Sequence, residues 1–83
     1  MIKLFYLETC PYCKQAFNFL EELKPEFPNI ELTLVEENQQ ADLANSYDYY
    51  YVPTFYINEK KVHEGVVTKD IIRDILTQAI ERK

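Results

Sequence analysis

Both cysteines of this 83-residue chain fall within four positions, as Cys10-Pro11-Tyr12-Cys13 in the stretch LETCPYCKQAFNFLEELK that begins at Leu7. Three chemistries use a C-x-x-C pair: a structural disulfide, half of a metal shell, or reversible thiol–disulfide exchange. Closing so short a loop removes little entropy from the unfolded chain, so the pair is a poor staple. A tetrahedral zinc shell needs four ligands, and beyond the two thiols only His63 offers a soft third. Exchange needs a reachable thiolate with a second thiol at hand, and the spacing supplies both.

The flanking sequence must position that pair. Ile2 to Leu7 (IKLFYL) is apolar without strong alternation, the pattern of a central strand covered on both faces. Thr9 is a candidate cap, and Pro11 suits a first helical position, where its missing N–H has no helical partner. Tyr12, Ala16, Phe19, Leu20 and Leu23 then recur at helical spacing, and Pro25 predicts a stop by Lys24. Ile30 to Val35 alternates as a second strand, so the first three elements form a parallel unit with a right-handed crossover.

Asn38 to Tyr47 predicts a short helix with a narrow apolar side. VPTFYI and KVHEG predict two strands joined by a turn at Asn58 to Lys60, too short for anything but an antiparallel hairpin. Thr68 caps a last helix with Ile71, Ile72, Ile75, Leu76, Ala79 and Ile80 along one stripe, and Arg82 and Lys83 at the negative end of its dipole. The tyrosines, including the run YDYYYVP, read as core and strand-flank residues, with Tyr12 as the exception beside the reactive sulfur. His63 reads as a structural or surface histidine, and Lys14, Lys60 and Lys61 as solvated.

In this arrangement the first strand delivers Cys10 to a helix N-terminus, where unpaired N–H groups and the positive end of the dipole favour a thiolate. Lys14 favours that anion and Glu8 disfavours it. Cys13 lies nearly one turn further, on the same face but deeper, as a resolving thiol should.

Composition bounds the rest. One glycine, four prolines and 47% hydrophobic residues describe one globular domain, expected as a monomer. A net charge of −5 offers no basic field for nucleic acid or an anionic membrane. No signal-peptide core and no run near the ~20 apolar residues of a membrane span is present, so the expected location is the cytoplasm, where thiols stay reduced.

With the order β-α-β-α-β-β-α, CPYC at the first strand-to-helix junction and VPTF about forty residues on, the chain resembles the thioredoxin-fold redoxins, and in size and active site the glutaredoxins. The resemblance implies an α/β fold, a four-stranded mixed sheet with flanking helices, and a thiol–disulfide oxidoreductase in which Cys10 attacks and Cys13 resolves. It further implies that Pro53 is cis and faces the cysteines, that the Val52 backbone pairs with an extended substrate, and that Pro11, Tyr12 and Thr54 line the site.

No bound cofactor is implied. The expected partners are disulfide-containing proteins, with glutathione as co-substrate or a flavin disulfide reductase as electron source. A glutaredoxin would bind glutathione through a cation at the position of Leu7 and a Gly-Gly turn, of which only Gly65 remains beside Glu64; Thr68 and the N–H groups of the last helix could still hold a carboxylate. Thr54 after Pro53 is closer to thioredoxins, whose buried acid falls here on Leu4. Two rivals follow: a redoxin charged by a flavin reductase, with ribonucleotide reductase as one candidate client, and a non-catalytic module in which C-x-x-C pairs from two chains hold a metal or iron–sulfur cluster.

Overall fold

The computed structural model describes residues 2–81; the expected dipole partners Arg82 and Lys83 lie outside them. Strand β1 (Ile2–Tyr6) leads into helix α1 (Pro11–Leu23), and a 3-10 turn at Lys24–Glu26 follows. Strand β2 (Leu32–Glu36), helix α2 (Ala41–Asn45), strands β3 (Thr54–Ile57) and β4 (Lys60–Glu64) and helix α3 (Lys69–Glu81) complete the order. The fold is the thioredoxin fold, with a mixed sheet ordered β2-β1-β3-β4. β1 pairs parallel with β2 and antiparallel with β3, and β4 closes an antiparallel hairpin.

Being central, β1 is covered on both faces, and its side chains divide accordingly. Ile2 and Leu4 join Phe55 and Ile57 of β3, Ala16 and Leu23 of α1, and Ile72, Ile75 and Leu76 of α3 in the larger core. Phe5 turns the other way, to Val35, Tyr56 and Ala44 of α2. Its ring meets those of Tyr47 (4.8 Å), Tyr49 (5.0 Å) and Tyr56 (5.5 Å). A chain with little area to bury thus builds its second face from aromatic rings.

Several boundaries differ from the sequence expectations, each for a local reason. The cap of α1 is Cys10, not Thr9, and no side chain bonds there; the first turn closes through backbone, with Cys13 and Lys14 N–H groups donating to the Cys10 carbonyl at 3.1 and 3.2 Å. β3 begins at Thr54, because Val52 and Pro53 lie in a bend that the cis Val52–Pro53 peptide bond occupies. The hairpin turn is tighter than Asn58 to Lys60: Asn58 and Glu59 take positive φ (49° and 71°) and Lys60 already belongs to β4. Thr68 does cap α3, its hydroxyl accepting the Ile71 N–H at 3.2 Å.

Candidate active site

The C-terminal end of β1 and the N-terminal ends of α1 and β3 converge. The chain turns between Leu7 and Cys10, where the Cys10 N–H donates to the Leu7 carbonyl at 3.1 Å, and enters α1 at Pro11. Cys10 stands partly exposed at the N-cap, and Cys13 is buried at 1% exposure; both are free thiols. The two thiols lie within hydrogen-bonding reach of each other. Burial, followed by the Cys10 thiol and the Glu37 charge, pushes Cys13 from the ordinary 9.0 up to about 12, against an opposing hydrogen bond with the Leu7 backbone. Cys13 is therefore a protonated, sheltered thiol, and Cys10 is the one a partner can reach.

Beside the C-terminal end of β1, where Phe5 pairs with Thr54, runs the segment Tyr50–Thr54. The Tyr50 and Tyr51 N–H groups both donate to one oxygen of Glu64, the latter at 2.9 Å, while Lys61 holds the other oxygen at 2.8 Å. The Thr54 hydroxyl donates to the Tyr51 carbonyl, and the Gly65 N–H to the Pro53 carbonyl at 2.9 Å. These ties bracket Val52 on either side. Gly65 makes its contact at φ +95°, a backbone region in which glycine carries no penalty.

The sequence-derived residues do not all act alike in this frame. Tyr12, between the two cysteines, is exposed at 49%. Pro11 is exposed, Val52 half-buried, and Pro53 and Thr54 buried, Thr54 serving its own loop through the Tyr51 carbonyl. Gly65 shapes the same loop from the β4 side. Thr68 is exposed, and its hydroxyl oxygen accepts the Ile71 N–H to cap α3. His63 is a structural residue, its ring Nε2 bonded with the Val66 carbonyl at 2.9 Å.

The tyrosine run divides. Tyr47 and Tyr49 pack against the smaller core as expected, but Tyr50 (84% exposed) and Tyr51 (71%) project into solvent next to the Val52–Pro53 segment.

Two glutamates that no local motif marks stand at this end of the sheet. In sequence Glu64 is only the residue where a glutaredoxin has a glycine, yet in the structure it organises the Tyr50–Tyr51 segment. Glu36, buried at 6% exposure, accepts the Glu8 N–H at 3.0 Å together with the Asn38 and Gln39 N–H groups. Both hold low-lying carboxyl groups. The Glu8 N–H is the leading cause for Glu36, and Lys61, then the tyrosine N–H groups, bring Glu64 down to about 2. Among the described residues no group of three or more His, Cys, Asp or Glu side chains forms a metal shell, and no helix is long and apolar enough to cross a membrane.

Comparison with known proteins agrees with this geometry. The family described as Thioredoxin domain matches residues 1–77. A thioredoxin-like protein from Clostridium perfringens is 30% identical, with a TM-score of 0.70, covering 94% of this chain and 68% of that one. Fasciola hepatica thioredoxin is 22% identical with a TM-score of 0.72 (94% and 78% covered). Oxidised mitochondrial thioredoxin 3 from Saccharomyces cerevisiae is 16% identical with a TM-score of 0.72 (93% and 76% covered). No curated protein matches the chain. A cysteine pair at the N-terminus of α1, a cis proline at the mouth of β3 and a family match over nearly the whole length lead to one conclusion: the chain belongs to the thioredoxin domain family.

Proposed function

We propose that the chain is a small dithiol thiol–disulfide oxidoreductase that reduces the disulfides of protein partners. The observation that carries this reading is the contact between a partly exposed Cys10 thiol at a helix N-cap and a buried Cys13 thiol beneath it. In the reaction, the Cys10 thiolate attacks one sulfur of the partner disulfide, forming a mixed disulfide and releasing the first partner thiolate. Cys13 then gives up its proton and attacks the Cys10 sulfur, closing the Cys10–Cys13 disulfide and releasing the second partner thiolate. Two electrons pass to the partner, whose thiolates take up protons. Val52 is the edge against which an extended cysteinyl segment pairs strand to strand. No resident cofactor is needed.

The electron donor in this reading is a flavin disulfide reductase. Leu7 supplies no cation for a glutathione carboxylate, and Glu64 puts a carboxylate where a glutaredoxin has a glycine. The CPYC motif supports the glutaredoxin-like alternative, with glutathione as co-substrate.

Insulin reduction with NADPH separates the two, using thioredoxin reductase in one arm and glutathione with glutathione reductase in the other. Faster reduction through thioredoxin reductase is expected, and equal or faster reduction through glutathione would reverse the donor assignment. Failure to accelerate insulin reduction in either arm, or with dithiothreitol, would overturn the oxidoreductase reading itself.

A further inference from the structure

Exchange at this site depends on two stretches of backbone: the Leu7–Cys10 turn, which sets the direction of the nucleophile, and the Tyr50–Pro53 segment, which carries the docking edge. The register of the sheet places a carboxylate beside each. Tyr6 pairs with Glu36, Phe5 with Thr54, and Thr54 with Glu64. The two edge strands, β2 and β4, therefore both end in a glutamate at the end of the sheet where the cysteines stand.

Each glutamate leaves its strand and takes backbone N–H groups from the loop nearest it. Glu36 receives Glu8, two positions before Cys10, as well as Asn38 and Gln39. Glu64 receives Tyr50 and Tyr51, immediately before Val52. Backbone N–H groups that a loop would otherwise surrender to water are thus fixed to the sheet, and a carboxylate accepting several of them is a strong and directional anchor.

We propose that Glu36 and Glu64 are positioning residues for thiol–disulfide exchange, Glu36 aiming the Cys10 turn and Glu64 holding the docking segment. The inference rests on the reading of Cys10 as nucleophile and Val52 as docking edge. It makes the two residues separable, because misaiming a nucleophile slows the chemical step whereas loosening an edge weakens docking.

The test is a single turnover of pre-reduced protein with an extended peptide carrying a mixed disulfide to thionitrobenzoate, followed by the colour of the released thiolate. Glu36→Leu should lower the saturating rate about tenfold while the half-saturating peptide concentration moves less than about twofold. Glu64→Leu should do the reverse, raising the half-saturating concentration about tenfold with the saturating rate kept within about twofold. Glu64→Gln keeps the one oxygen that both tyrosine N–H groups share and should restore most of its loss, whereas Glu36→Gln keeps an acceptor for either Glu8 or the Asn38 and Gln39 pair and should restore only part; should a leucine variant fail to fold, the glutamine variants carry the same contrast with smaller shifts.

Amide hydrogen exchange supplies a readout independent of turnover. It should speed up at Glu8 in Glu36→Leu alone and at Tyr51 in Glu64→Leu alone, and by less in the glutamine variants. Rate and half-saturation moving together in both variants, or unchanged exchange at both amides, would overturn the proposal. A wild-type protein that leaves the peptide disulfide intact would sink the oxidoreductase reading instead, and the amide pattern would still decide whether the carboxylates hold these loops.

Discussion

Cys13 lies buried directly against Cys10, so that one thiol of the pair meets solvent and the other meets protein. The asymmetry follows from helix geometry: three residues along α1 bring a side chain back to the same face, but one turn deeper. It is the asymmetry on which the proposed roles of attacker and resolver rest.

Selective alkylation follows from that relationship. Iodoacetamide at neutral pH should modify Cys10 in the folded, reduced protein and spare Cys13, whose thiol is both buried and held protonated toward about 12. Peptide mapping by mass spectrometry should find both modified only in denaturant. Comparable labelling of the two in the native protein would contradict the burial.

Stability should fall in acid, in a defined window. Glu64 is held at about 2 against an ordinary 4.5, and Glu36 and Glu59 are also lowered, the latter chiefly by Lys3. A depressed carboxyl contributes stability that is fully present above its unfolded value and lost as pH drops through its folded one. Urea midpoints should therefore decline from about pH 4.5 toward about pH 2, and the decline should be shallower in Glu64→Gln. An identical pH profile for the variant would show that the Lys61 and tyrosine contacts do not form in solution.

The larger core should respond to truncation far more than the rim. Phe55 is fully buried between β1 and β4, and Phe55→Ala should cost about 3–5 kcal/mol through lost transfer energy and the cavity left behind. Val66 is 56% exposed, and Val66→Ala should stay within about 0.5 kcal/mol. Chemical denaturation measures both.

Gly65 separates backbone strain from steric clash. A Cβ built there meets nothing nearer than the Tyr51 Cβ at 4.0 Å, so space is not the constraint, but φ is +95°. Gly65→Ala should therefore destabilise by about 1–2 kcal/mol from the left-handed geometry alone. A loss much larger than that would point to a contact the structure does not contain.

The strand–helix–strand beginning and the α3 stripe were legible because they are written in local periodicity: alternation for strands, three-to-four spacing for helices, Pro11 at a helix start and Pro25 at a stop. Cys10 and Cys13 could be placed for the same reason, since a motif at a strand-to-helix junction needs only its neighbours. Glu36 and Glu64 could not. Their partners stand up to 28 and 14 residues away, and only the register of β1 with β2 and of β3 with β4 brings them to the site. Tyr50 and Tyr51 also depart from expectation: aromatic rings are ordinarily buried, and nothing local signals that these two project into solvent.

Mixed-disulfide trapping tests the division of labour between the cysteines most directly. Reduced Cys13→Ser and Cys10→Ser proteins are each mixed with a disulfide-containing protein and resolved on non-reducing gels, with the linkage site mapped by mass spectrometry. Cys13→Ser should accumulate a covalent complex through Cys10, because no second thiol remains to release the partner. Cys10→Ser should form none, because the remaining thiol is buried and protonated. Equal trapping by the two variants, or a complex linked through Cys13, would contradict the assignment of Cys10 as the attacking thiol.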